Sequence, residues 1–335
     1  MNKRVYGVLG ISSIMANWNA DFSGYPKTTS DGKTFGSDKA LKYPMKKMWD
    51  NEGRKVLYIK SMCLSEDKKK GEVSVIPRTL KERYDHLFHE GKESDGKNAK
   101  EIVENLFQAI DVKNFGATFA EAGNNISITG AVQIGQGFNK YDDTQAQEQS
   151  ILSPFRDPKA KEKSKKAEGD EGEEARSSTL GTKIVSDEAH YFYPFVINPM
   201  AYREFVEMGV TEGYTEEDYQ LFKKAALSSA TSFATNAKIG CENEFALFVE
   251  TEHDLYLTNL SEYITFSKGE EEEKKEEGEE KEKNRIQIQF EEILNTLKDQ
   301  IQSIEIYYNP YTAQIETSAA LEGAKYFNIL TQKEV

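Results

Sequence analysis

The 335-residue chain predicts an α+β fold with helices mainly on one face of a sheet; a split βαβ, ferredoxin-like or RRM-type core fits. Three observations carry this. The patterned segments run strand, helix, strand, insert, helix, strand. Residues 3–16, KRVYGVLGISSIMA, are apolar nearly throughout, as in a central strand covered on both faces. Two amphipathic segments with capping residues, about 39–51 and after Thr215, lie between strand-like runs.

The elements follow in order. Gly36-Ser37-Asp38 offers N-caps to the helix over 39–51. Its Leu41, Met45, Met48 and Trp49 recur at i, i+4, i+7 and i+8 on one face, and Lys39, Lys42 and Lys46 fall opposite. Pro44 is expected to turn or kink it. Gly53 ends it, and Lys55–Met62 is expected to be a second strand. Asn98 and Glu101 form a capping pair before a helix carrying Ile102, Val103, Leu106, Phe107 and Ile110. Ile126–Ile134 and His190–Ile197 alternate like strands. Thr215 and Asp218 open a long helix with Tyr219, Phe222, Ala226, Ala230 and Phe233 inward. Glu244–Glu250 is a short apolar strand, Ile293, Leu294, Leu297 and Ile301 mark a last helix, and Ile304–Tyr308 a last strand.

No apolar run approaches the ~20 residues of a spanning helix, and the N-terminus reads as a strand rather than a leader. Cys63 and Cys241, two cysteines far apart, exclude a disulfide scaffold and fit a reducing cytoplasm; both are expected to be small core residues. The net charge of -14 hides an asymmetry. Residues 1–60 hold eleven Lys or Arg against five acids, which leaves -20 on the other 275. Two runs, 157–178 and 268–284, are rich in Lys, Glu and Gly and nearly free of apolar residues, so they are expected to be disordered loops.

Enzyme signatures are missing. His86 and His89 have no cysteine or acidic partner at a zinc spacing. No serine sits in a Gly-x-Ser-x-Gly elbow, there is no Walker A sequence, and Gly135-Gln136-Gly137 reads as a turn or strand-end bulge. A nucleic-acid reading does better. The loop Asn17-Trp18-Asn19-Ala20-Asp21 offers two amides and an aromatic, with Trp18 open between stacking on a base and packing in the core. Lysines follow at 27, 39, 42, 46 and 47. Lys39, Lys42 and Lys46 stand about one turn apart, matching either a phosphate track or the wet side of an ordinary amphipathic helix.

Five segments in order resemble a known family. VYGVLGISSIMANWNADFSGYP followed by FGSDKALKYPMKKMWDNEG is similar to the N-terminal block of the CRISPR Cascade backbone subunit, the Cas-seven superfamily, subtype I-B. Asp111-Val-Lys-Asn-Phe-Gly116 resembles its Asp-(Val/Ile)-x-x-Phe-Gly motif, and Thr129-Gly-Ala-Val-Gln-Ile134 its Thr-Gly-x-Val-Gln strand. His190–Phe195 and Thr235–Cys241 fall where later family segments fall, so the resemblance spans about 3–266. It implies an RRM-like palm (1–60, 98–136 and 190–335 with the C-terminal tail), a fingers insertion over 61–97 and a thumb over 137–189. It also implies head-to-tail stacking into a helical filament on one guide RNA (crRNA), contacts with other Cascade subunits, and pairing of the guide with target DNA in antiviral defence.

Carried over residue by residue, Asn17, Asn19 and Lys27 match the polar loop after the first strand. Ser37, Lys39, Lys42 and Lys46 match the phosphate-facing loop and helix, and Gln133 and Gln136 the region near the thumb base. Lys238 stands where relatives often carry arginine; it keeps the charge but not the bidentate fork. Gln133 has a structural alternative, capping a sheet edge. No cofactor, metal or catalytic residue is implied. Two competing classes remain: a metal-dependent RNA endonuclease of the same superfamily, with Asp21 or Asp38 as the loop aspartate, and a stand-alone RRM-type RNA-binding protein.

Overall fold

The computed structural model describes residues 1–67, 71–91, 98–121, 123–156, 177–269 and 282–335. The chain opens with β1 (Arg4–Ala16), β2 (Phe35–Gly36), α1 (Asp38–Asn51), β3 (Met62–Asp67), β4 (Glu72–Pro77) and α2 (Leu80–Phe88). It continues through α3 (Ala99–Gln108), α4 (Ile110–Phe115), β5 (Gly116–Phe119), β6 (Ile126–Thr129), β7 (Val132–Ile134), β8 (Gly137–Asn139), β9 (Ala146–Arg156) and β10 (Ser177–Ile197). Then come α5 (Arg203–Glu207), α6 (Glu216–Ser232), β11 (Cys241–Thr251), β12 (Ile264–Ser267), β13 (Asn284–Ile288), α7 (Glu291–Thr296), β14 (Ile301–Tyr308), β15 (Ala313–Thr317) and β16 (Ala324–Asn328).

β1 is the central strand, as its nearly continuous apolar sequence predicts. It pairs antiparallel with β10 on one side and β11 on the other. The main sheet runs β16-β14-β11-β1-β10-β8-β2, with β7 and β9 also paired to β10. Within it, α1 joins β1 to the β7/β8 side, and α6 joins β10 to β11. One face is covered by helices. Leu41, Met45 and Trp49 of α1 meet Phe222, Ala226 and Ala230 of α6 over Val5, Leu9 and Ile11 of β1. The opposite face is also buried: Tyr6, Val8, Phe192, Phe245 and Leu247 pack under Leu260, Ile264, Ile286, Ile288 and Leu294. That second layer is built on the small sheet β12-β13-β15. β10 extends beyond β1, and from Val185↔Gln147 outward its first half pairs only with β9, so the two form an arm leaving the sheet.

Several sequence expectations need correction. Lys55–Met62 is not a strand; only its last residue opens β3. The backbone there finds other partners. Leu57 and Tyr58 each donate an N–H to the Asp111 carboxylate at 2.8 Å, and the Arg83 guanidinium donates to the Val56 carbonyl at 2.7 Å. Ile126–Ile134 divides into β6 and β7, which lie in different sheets. The division falls at Gly130, where a Cβ would lie 2.2 Å from the Phe115 carbonyl carbon. Helix α1 runs unbroken through Pro44, which is buried with Leu41, Met45 and Trp49. The ladder gives up the bond proline cannot donate, and the packed face holds the helix in place. The last helix ends before Ile301, which instead begins β14. Cys241 is buried, but Cys63 is only half-buried, on the β3–β4 hairpin. The runs expected to be disordered, 157–178 and 268–284, lie for the most part outside the described residues.

Candidate nucleic-acid interface

The end of β1 delivers Asn17, Trp18 and Asn19 into a loop that folds back on itself. The Lys27 N–H donates to the Asn19 carbonyl and the Phe35 N–H to the Lys27 carbonyl, both at 2.9 Å. Asn19 joins this loop to α1: its Oδ1 accepts from Ser37 Oγ at 3.0 Å, and Ser37 Oγ accepts from the Ala40 N–H at 3.3 Å. Of the three residues the sequence offers as N-caps, Ser37 is the one used, and it leaves Asn19 half-buried at the mouth of the helix. Asn17 is buried and donates to the carbonyls of Gly24 (2.8 Å) and Ile184 (3.1 Å), so it fastens the loop to the arm. Among the described residues its Oδ1 has no hydrogen-bond partner. Lys238 closes the cluster from the turn before β11. Its Nζ donates to the Asn17 carbonyl at 2.7 Å and to the Trp18 carbonyl, and lies 5.3 Å from the indole. Burial pulls its pKa below the ordinary lysine range. Trp18 is a core residue, 1% exposed, donating Nε1–H to Tyr193 Oη.

The lysines of α1 do not present equally. Lys39 is exposed, with no ion pair among the described residues. Lys42 pairs with Asp38 at 2.9 Å and lies over the Phe115 ring. Lys46 turns inward, donating to the Tyr58 carbonyl at 3.3 Å, with Asp111 Oδ2 at 3.7 Å. Burial lowers its pKa, and Asp111 offsets part of that effect. Lys27 is exposed, 5.6 Å from the Phe35 ring centroid. Gln136 is exposed in the link between β7 and β8, one residue before Gly137, which pairs with Gly36. Gln133, also exposed, donates to the Gly130 carbonyl at 2.8 Å. It pairs with Val196, which sits opposite Tyr6, near the far end of β1. The structure therefore joins Asn17, Asn19, Lys27, Ser37 and Lys238 by direct bonds, sets Lys39 and Gln136 beside them, and leaves Gln133 apart.

Both aspartates of the nuclease alternative are occupied. Asp21 Oδ1 accepts from the N–H groups of Ser23 (2.8 Å) and Tyr25 (3.0 Å), and Asp38 holds Lys42. Among the described residues no group of three or more His, Cys, Asp or Glu is arranged to hold a metal ion.

One cluster escaped sequence reading. His190, 1% exposed, places Nδ1 2.8 Å from Glu244 Oε2 and Nε2 3.2 Å from Glu188 Oε1. Its trace in the sequence is a histidine and two glutamates at the edges of the apolar runs of two strands. Their register across β1 is not readable from the residues.

A protein of the RNA-guided CRISPR class has this architecture. A chain of the solved structure "CRISPR RNA-guided surveillance complex, pre-nicking" superposes with a TM-score of 0.52 at 12% identity, covering 97% of this chain and 96% of that one. A second, "CRISPR RNA-guided surveillance complex", gives 0.44 at 12% identity, with 96% of each chain covered. The family model of CRISPR-associated protein Cas7 matches residues 3–290, and the chain belongs to that family. No curated protein sequence matches it. No helix among the described residues is long and apolar enough to cross a membrane.

Proposed function

We propose that this Cas7-family chain is a guide-RNA-binding backbone subunit of a type I-B Cascade surveillance complex. Copies stack head to tail along the crRNA in the cytoplasm, beside other Cascade subunits, and hold its bases outward for pairing with target DNA. The observation that carries this reading is the convergence of the polar loop, the N-terminus of α1 and the Lys238 turn at one end of the sheet, beside the root of the β9–β10 arm. Amides and exposed lysines there suit a sugar–phosphate thread, which needs charge and donors but no sequence-specific pocket. Base pairing with the guide then reads the target.

The strand order β11-β1-β10-β7/β8, all antiparallel with α1 and α6 on one face, supports an RRM-like palm. The segment 61–97 is then the fingers, and 137–189, which includes the arm, the thumb. A stand-alone RRM stacks bases on the open face of its sheet. Here that face is covered by the β12-β13-β15 layer, which favours binding at the sheet's rim and disfavours this alternative. The subunit binds and does not cut: Asp21 and Asp38 serve the loop and the helix. Incubating the assembled complex with complementary RNA and Mg²⁺ checks this; product lost in Asp21→Ala or Asp38→Ala would overturn it.

The direct test is a salt series on guide RNA binding by a Lys27→Ala/Lys39→Ala variant. Two lost phosphate contacts on a single strand reduce the slope of log K against log salt by about 1.4. A slope equal to that of the parent removes these lysines from the interface.

A further inference from the structure

His190 sits where three parts of the molecule meet. It lies on β10 just inside the root of the arm, where Ser186 pairs with both Ala146 of β9 and Ala16 of β1, and Glu188 faces Ile14 of β1. From β11, both oxygens of Glu244 lie within 3.0 Å of Nδ1. From its own strand, Glu188 Oε1 lies 3.2 Å from Nε2. From the covering layer, the Phe266 ring stacks on the imidazole at 3.6 Å, and Lys268 Nζ donates to Glu188 Oε2 at 2.6 Å. From the turn before β9, the Tyr141 ring stands edge-on at 6.1 Å, and from the end of β8, Asn139 Oδ1 accepts the His190 backbone N–H at 2.8 Å. Lys140, Asp142, Asp143 and Asp187 are further charged residues at this junction, and Asp187 Oδ1 is already bonded to the Gln145 and Glu188 N–H groups.

Each imidazole nitrogen faces a carboxylate, and a carboxylate only accepts. Both nitrogens therefore carry protons, and the ring is the cation.

We propose that the His190 imidazolium is a positioning residue for the arm: a charged pin, held between Glu244 and Glu188, that fixes the arm's root to the sheet and to the covering layer. Losing its proton releases the arm and weakens guide binding. The reasons are geometric. A neutral ring leaves one nitrogen lone pair facing a buried carboxylate, so one of its two bonds becomes a repulsion. The junction then loses its link to Glu188, the residue through which Lys268 of the covering layer also holds β10 beside the arm's root. Asn17 ties the polar loop to the arm at Ile184, four residues from Glu188, so movement of the root is passed to the candidate interface. The coupling to guide binding rests on the proposed function; the pin itself does not.

The test uses the full chain and two readouts. The first is trypsin cleavage at Lys183, in the arm, identified by mass between pH 7.0 and 9.5. The second is affinity for an RNA of adenine and cytosine only, whose bases do not titrate in this range. In the wild type, Lys183 is expected to be protected at pH 7.0 and to open above pH 9. His190→Gln, which carries no charge, is expected to be open throughout. Lys268→Ala, which leaves the ring intact, is expected to move the opening to lower pH. RNA affinity is expected to fall about fivefold or more on the same transition, and to be low and flat in His190→Gln. Cleavage at Lys183 that is the same in wild type and His190→Gln at every pH overturns the pin. A pH-dependent arm with unchanged RNA affinity overturns only its link to guide binding. An RNA that never binds while the arm still responds overturns the proposed function and leaves the pin standing.

Discussion

At the scale of single residues, Asp111 shows one side chain standing in for a neighbouring strand. Its carboxylate is 1% exposed, accepts the Leu57 and Tyr58 N–H groups, and faces Lys46. Asp111→Ala strands two backbone donors and a half-buried cation. Denaturant unfolding should show a loss of roughly 3 kcal/mol or more; a loss under about 1 kcal/mol would mean that water reaches these groups. The arrangement also explains a misreading. Lys55–Met62 has strand composition, but its hydrogen-bond partner lies some fifty residues later in sequence, inside the motif Asp111–Gly116. Lys46 was misplaced for the same reason: helical spacing sets it on the polar flank, yet the acceptor that turns it inward comes from elsewhere in the chain.

His190 carries the second residue-scale prediction, about stability against pH. Burial alone would lower its pKa, but Glu244 and Glu188 outweigh burial and raise it to about 9. A histidine raised above its ordinary value of about 6.5 binds its proton more tightly in the folded state. The stabilisation is therefore complete below about pH 6.5 and is lost as pH rises through about 9, a difference of roughly 3 kcal/mol. Glu188, held down to about 2 by hydrogen bonds from His190 and Lys268, acts oppositely: its contribution is present above its ordinary pKa and disappears as pH falls toward 2. Urea unfolding from pH 6 to pH 9.5 should show falling stability in the wild type and a flatter profile in His190→Gln. Equal slopes would contradict the charged state.

At the scale of elements, the well-signalled pieces were legible. β1 announces itself by a nearly continuous apolar run, α1 by Ser37 and the Leu41–Met45–Trp49 face, and α6 by the Thr215–Asp218 capping box. Local signals suffice because these elements are set by their own periodicity and caps. Elements set by distant contacts were not legible. Alternation in Ile126–Ile134 does not reveal that the chain changes sheets at Gly130. The small sheet β12-β13-β15 also escaped, since it pairs strands across a long polar insertion. The link from the polar loop to α1 depends on a close approach at Gly36, where a Cβ would lie 1.7 Å from Tyr193 Oη and 2.9 Å from the Trp18 ring. Gly36→Ala must push these aromatics aside, at a cost of about 1–3 kcal/mol. The checks are thermal melting and, in the same sample, RNA affinity; an unchanged melting temperature would mean that the β2–β8 edge yields freely.

At the scale of the whole molecule, the proposed function places guide binding at the rim of the sheet. Both faces of the main sheet are buried, one by helices and one by the C-terminal layer. The proposed site is therefore the end of the sheet, where β1 hands over to the polar loop and the arm departs. Sequence alone named most residues at that end, because loop amides and exposed lysines are visible in the chain. It did not show which lysines are consumed internally, since Lys46 and Lys238 meet partners that only folding supplies, whereas Lys42 pairs with Asp38 one turn back on its own helix.

The central claim is that copies of this chain repeat along one guide. Native mass spectrometry of the chain assembled with guide RNAs of two lengths tests it most directly. The account predicts that the longer guide carries more copies, in proportion to the added nucleotides. One copy per RNA at both lengths would contradict it.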